Sequence, residues 1–99
     1  MPLFTFPEDA RWSADSAAVE FSVVLGEYHG VVRAPERLFR QLLGTAVSPE
    51  QCLAAYHQHR TRFERAVEAK LRRRELAEDG NLDLTGRDLR RLEAGRHAR

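Results

Sequence analysis

Ninety-nine residues, 42% of them hydrophobic and 31% charged, are enough for one ordered domain and exclude a disordered chain. The net charge is only +1, but residues 1–58 hold four basic and seven acidic groups, whereas residues 59–99 hold twelve and eight. The one cysteine, Cys52, excludes an intrachain disulfide, and the longest apolar run, Ala17–Leu25, is too short to span a membrane and contains Glu20.

No basic-then-apolar leader opens the chain, so a cytoplasmic location is expected. Leu3–Phe6 alternates and reads as a short edge strand ended by Pro7. Arg11–Ser13 reads as another short extended piece, followed by an Ala14-Asp15-Ser16 turn. Val19–Leu25 is the clearest strand, with Val19, Phe21, Val23 and Leu25 on one face and Glu20, Ser22 and Val24 on the other. Gly26-Glu27 fits a two-residue type II′ turn, with glycine at the first central position. That turn sets a register in which Leu25 faces Tyr28, Val23 faces Gly30, Phe21 faces Val32, and Glu20 pairs with Arg33. Turn chemistry and apolar pattern agree, so the hairpin Val19–Ala34 is expected at the centre of a small antiparallel sheet.

Pro35 suits the start of a helix over Glu36–Leu43, docked through Leu38, Phe39, Leu42 and Leu43 and ended by Gly44. The strongest local signal follows, a long amphipathic helix over about Ser48–Arg74. Ser48 can cap it, Gln51 can reach back to complete a capping box, and Pro49 falls where its missing N–H costs nothing. Glu50 and Arg72–Arg74 match the two ends of the helix dipole. Cys52, Leu53, Tyr56, Phe63, Ala66, Val67 and Leu71 form its apolar stripe. A helix of roughly seven turns, about 40 Å, outruns a small sheet, so part of it should project, meet another helix or meet a partner. Asp79-Gly80-Asn81 is a turn, and Leu82–Leu84 reads as a last strand. Thr85, with Asp88 in a box-like position, begins a final helix docked by Leu89 and Leu92 and ended at Gly95. Residues 1–95 therefore read as one α+β domain, with a frayed tail over 96–99.

Several of these residues form an ordered series: Phe6-Pro7-Glu8, Val19-Glu20-Phe21, Leu53-Ala54-Ala55-Tyr56 with His59-Arg60, Ala66, Lys70, and Leu82-Asp83-Leu84-Thr85 with Asp88. Over about Phe4–Arg90 the chain resembles the small bacterial proteins grouped as domain of unknown function 1488. The resemblance implies a bacterial α+β domain with an antiparallel sheet and a long helix. It implies no activity and transfers no functional residues.

The residues themselves form no catalytic constellation. His57 and His59 point about 200° apart on a helix, so they cannot share a metal, and neither has a ligand four residues away. Cys52 and His59 are two turns apart, roughly 10 Å, beyond a nucleophile–base bond, and Cys52 reads as a small core residue. No phosphate loop or nucleophile elbow is present, so no metal, cofactor or catalytic residue is expected. Arg60 falls within the apolar stripe and is expected either to pack its stem and extend its head to water or to pair with a carboxylate of the sheet, the functional alternative being a buried anchor for a partner or an anion. Arg62, Arg65, Arg72 and Arg73 lie opposite the stripe and form the candidate interaction surface, bordered by Glu64 and Glu68. The expected function is a non-enzymatic interaction or accessory module that can self-associate or bind a protein partner. The alternative is a nucleic-acid-associated protein that uses the basic helix face. No membrane partner is expected.

Overall fold

The computed structural model describes residues 4–97, with side chains as far as Arg91. Strands β1 (Phe4–Thr5), β2 (Arg11–Ser13), β3 (Ala18–Leu25) and β4 (Tyr28–Pro35) come first. Helices α1 (Glu36–Leu43), α2 (Pro49–Gln58) and α3 (Arg60–Arg72) follow, then β5 (Leu82–Asp83) and α4 (Gly86–His97).

The hairpin has the expected register, from Leu25 opposite Tyr28 through Phe21 opposite Val32 to Ala18 opposite Pro35. Gly26 takes φ +60° and Glu27 has no positive φ, which is the pattern of a type II′ turn. Val19, Phe21, Val23, Val32 and Ala34 are buried on one face. β1 and β2 share the free edge of β3, Phe4 opposite Leu25 and Arg11 opposite Glu20.

The sheet is mixed, where a wholly antiparallel one is expected from the sequence. β5 runs parallel to β4, with Val32 opposite Leu82. The three intervening helices supply the crossover that a parallel pair requires. So short a strand gains support from its flanks. The Asn81 side chain accepts the Val31 N–H at 2.9 Å, and the Leu84 N–H donates to the Arg33 carbonyl at 2.9 Å.

The helical run after Ser48 extends to Arg72, and its capping box is present in both directions, at 3.2 and 2.8 Å. One residue divides it. His59, at φ −109° and ψ 24°, separates α2 from α3, although its N–H still reaches Ala55 and its carbonyl still accepts from Phe63. The two halves have different supports: α2 lies against β2 and β3, whereas α3 packs against α4. The excess length of the helix is therefore covered by the C-terminal helix. That helix passes Gly95 and continues to His97, beyond its expected end; Ala98 and Arg99, at the end of the expected tail, lie outside the described residues, as does the Leu92 side chain. Pro35 lies just before α1, as its extended N-cap residue, and Gly44 closes α1 at φ 74°.

A chain of rings joins the layers. Centroids are 4.7 Å apart for Phe21–Tyr56, 5.5 Å for Tyr56–Phe63 and 5.6 Å for Phe63–Phe39. These contacts tie the sheet to α2, α3 and α1 in one core.

The opposite face of the sheet carries a row of alternating charge. Arg11, Glu20, Arg33 and Asp83 are successive cross-strand neighbours. Glu20 and Arg33 stand opposite each other as expected, but their ion pairs run outward. Glu20 meets Arg11 at 3.4 Å, and Arg33 meets Asp83 at 2.6 Å and Asp79 at 3.0 Å, because the flanking strand and turn bring these partners close. Arg33 and the Asn81 N–H hold the Asp79 carboxyl down at about 2, from 3.8. Burial raises Asp9, but hydrogen bonds from the Ser22 hydroxyl and N–H outweigh it and leave Asp9 below the usual range.

Two predictions follow from this packing and these charges. The Tyr28 ring covers Gly30 and its hydroxyl donates to the Gly80 carbonyl at 2.7 Å, so a Cβ at Gly30 would collide with the ring. Gly30→Ala should cost about 1–3 kcal/mol in urea denaturation, more than the about 1 kcal/mol of Tyr28→Phe; an unchanged midpoint would contradict this packing. Asp79 and Asp9 ionise more readily when folded, so their stabilisation is complete above about pH 4 and disappears as pH falls toward their folded values. Melting curves of the wild type should therefore fall more steeply over that acid range than those of Asp79→Asn.

Candidate functional site

The site forms where α4 comes to lie beside α1 and α3. One carboxylate positions α4. Asp88 Oδ2 accepts from the Thr85 N–H at 2.9 Å and the Thr85 hydroxyl at 3.2 Å, and it meets Lys70 Nζ of α3 at 2.9 Å. The Thr85 hydroxyl accepts in turn from the Asp88 N–H at 3.3 Å, which completes the expected cap. Asp88 is only 5% exposed, so this pair is shielded, and a shielded ion pair is costly to break from one side.

With α4 held in this way, a groove runs between it and α1. Two adjoining depressions of about 310 Å³ each share Leu38, Gln41, Gly86 and Arg90. Leu38 and Leu89 are buried and form the floor, and Leu42 is half-buried beside them. The Gln41 amide lies against Gly86, where a Cβ would make it move aside. Arg37 and Arg87 line the first depression, Arg62 lines the second, and Arg90 belongs to both.

The electrostatics of this groove turn on which arginines stand beside an acid. Arg11, Arg33, Arg40, Arg60, Lys70, Arg72, Arg73 and Arg91 each stand within ion-pair distance of a carboxylate. Among the described residues, Arg37, Arg65, Arg74, Arg87 and Arg90 have no such neighbour and are exposed, and three of these five, Arg37, Arg87 and Arg90, gather at this groove. Glu36 is turned to Arg40 and Asp88 to Lys70, so these two acids do not neutralise the groove.

The four arginines singled out from the sequence lie along α3 and its C-cap but have different surroundings. Arg62 is half-buried at the groove, and Arg65 is exposed. Arg72 lies 5.6 Å from the centre of the Phe4 ring and 3.9 Å from Glu68, and Arg73 reaches Glu75 at 3.2 Å. Sequence reasoning missed Arg37, Arg87 and Arg90. The i, i+3 spacing of Arg87 and Arg90 was a visible signal for one helix face. Nothing local joined them to Arg37.

A second cleft, of about 390 Å³, is lined by Pro7, Glu8, Ala10, Tyr56, His57 and Arg60. Its charged groups serve the fold. Arg60 begins α3 with its head one-third exposed, bonded to Glu64 at 2.7 Å, Glu8 at 3.4 Å and the Phe6 carbonyl at 3.3 Å. Arg60 is thus paired with carboxylates, but they lie on the same helix and on the β1–β2 loop and not on the sheet as expected. Burial pushes the Tyr56 phenol up to about 12, so it remains protonated at neutral pH. Cys52 is fully buried, and burial followed by the nearby Glu36 charge pushes its thiol up, away from nucleophilic reactivity. His57 is exposed on α2 and His59 half-buried at the helix break. Among the described residues no three His, Cys, Asp or Glu side chains cluster to hold a metal ion.

A short mixed sheet with helices packed on its apolar face defines a small two-layer α+β protein. Residues 4–84 match the family described as "Protein of unknown function (DUF1488)", and the chain belongs to that family. A similar solved structure is the crystal structure of a DUF1488-family protein of unknown function from Shewanella loihica PV-4. The two share 17% identity at a TM-score of 0.76, over 82% of this chain and 90% of that one, a likeness that shows the fold alone. No curated protein matches the chain. The match begins where the resemblance read from the sequence begins, but it stops at residue 84 instead of running to about Arg90. The helix that carries Arg87 and Arg90 therefore lies outside the matched residues. Among the described residues no helix is long and apolar enough to cross a membrane.

Asp88→Ala should destabilise the protein by about 3 kcal/mol, because Lys70 then keeps a shielded charge without its counter-ion. The double variant Asp88→Ala/Lys70→Met should recover part of that loss in chemical denaturation. A double variant no more stable than the single one would show that the pair does not couple.

Proposed function

We propose that the protein is a non-enzymatic binding module, a small bacterial cytoplasmic accessory protein that docks another macromolecule in the α1–α4 groove. One observation carries this reading: three of the five exposed arginines that lack a carboxylate neighbour among the described residues, Arg37, Arg87 and Arg90, gather around one groove lined by leucines. A solvated helix face has no need of a leucine floor, and a structural arginine normally faces an acid. The occupant can be a second copy of the chain or a different partner.

A photo-crosslinking amino acid placed at Gln41, with a control at Glu27 in the hairpin turn, tests the reading in the native host. A discrete adduct is expected from Gln41 and not from Glu27, and it should disappear when Arg90→Glu is added. An adduct of twice the monomer mass identifies a homodimer. Equal labelling from both positions, or none from Gln41, would refute docking in the groove.

A further inference from the structure

The chemistry of the groove specifies more than that something binds. Resting on the docking role just proposed, we infer that the occupant is an acidic, leucine-bearing segment of a protein partner.

Three features carry the inference. Arg37, Arg87 and Arg90 stand around one groove without acidic neighbours among the described residues, so the complementary ligand supplies carboxylates. Arginine forks hold planar carboxylates through paired hydrogen bonds, which gives geometric selection as well as attraction. The floor is apolar, formed by Leu38 and Leu89, which are already buried, and by Leu42, which is half-buried and still offers apolar surface to a ligand. A ligand that only neutralised the arginines would leave the accessible part of Leu42 wet. A segment alternating acidic and aliphatic side chains satisfies both, in the manner of a helix or strand laid into a groove. Finally, the Gln41 side chain belongs to both depressions and offers an amide donor and acceptor midway along the groove.

The same features argue against nucleic acid. Among the described residues no aromatic side chain lines either depression to stack on bases, and a phosphodiester chain gains nothing from the leucine side of the groove. The depressions, at about 310 Å³ each, suit individual side chains and not a duplex. The helix that carries Arg87 and Arg90 lies beyond the residues matched to the family, whereas Arg37 lies within them.

Fluorescence anisotropy at low ionic strength tests the inference. The probe is a short labelled peptide of glutamate and leucine. The comparisons are the same peptide with glutamine for glutamate, a single-stranded oligonucleotide of equal length, and phosphatidylglycerol vesicles. Arg37→Glu and Arg90→Glu are exposed replacements, and circular dichroism confirms that they fold; Arg65→Glu, exposed and outside both depressions, is the control.

Binding of the glutamate peptide should weaken about tenfold or more in Arg37→Glu and Arg90→Glu and stay unchanged in Arg65→Glu. It should fall as salt is added and be absent for the glutamine peptide. Equal weakening by Arg65→Glu would show unspecific attraction and overturn the inference. So would retained binding of the glutamine peptide, tighter binding of the oligonucleotide or vesicles, or no peptide binding. If the peptide fails while the Gln41 crosslink persists, the groove docks a partner of other chemistry. If both fail, the docking role fails with it.

Discussion

The pairing of β3 with β4 is the constraint on which the rest of the molecule depends. Side chains alternate along a strand, so a slip of one residue would turn Val19, Phe21 and Val23 to water and bring Glu20 inward. Gly26 prevents the slip, because the positive φ it adopts closes a two-residue turn in one register only. From that register follow two surfaces. One receives Tyr56, Phe63 and Phe39 in a continuous aromatic core. The other sets Arg11, Glu20, Arg33 and Asp83 in a row of alternating sign.

A sheet this small cannot cover a straight helix of the full length from Pro49 to Arg72. The break at His59 resolves the mismatch, leaving α2 on the sheet and giving α3 a second support. That support is α4, held by a carboxylate that both caps its own helix and meets Lys70. The α1–α4 groove is thus a consequence of how the excess helix length is covered. Among the described residues Arg37, Arg87 and Arg90 stand without an acid, since Glu36 is engaged with Arg40 and Asp88 with Lys70.

Much of this was legible in advance where the cause is local. The hairpin, its turn, the capping box at Ser48 and the cap at Thr85 each depend on residues a few positions apart, and each stands as read. The direction of β5 was not legible, because a two-residue strand carries no mark of whether it runs with or against its neighbour. The partner of Glu20 was misread for a related reason. Its cross-strand neighbour Arg33 was visible, but the competing acids Asp79 and Asp83 come from a turn and strand far along the chain. The candidate site was half legible. The C-terminal excess of basic residues pointed to the correct part of the chain, but the face first singled out includes Arg72 and Arg73, both beside acids.

By itself the sequence determined the elements, the central register and the core face. These follow from periodicity, glycine conformation and capping, which act over a few residues. Only the tertiary structure decided the mixed sheet, the bend at His59 and the groove that joins Arg37 to Arg87 and Arg90. Those three arginines are brought together by the packing of helices distant in sequence, and no local pattern encodes which side chains then lack an acidic neighbour.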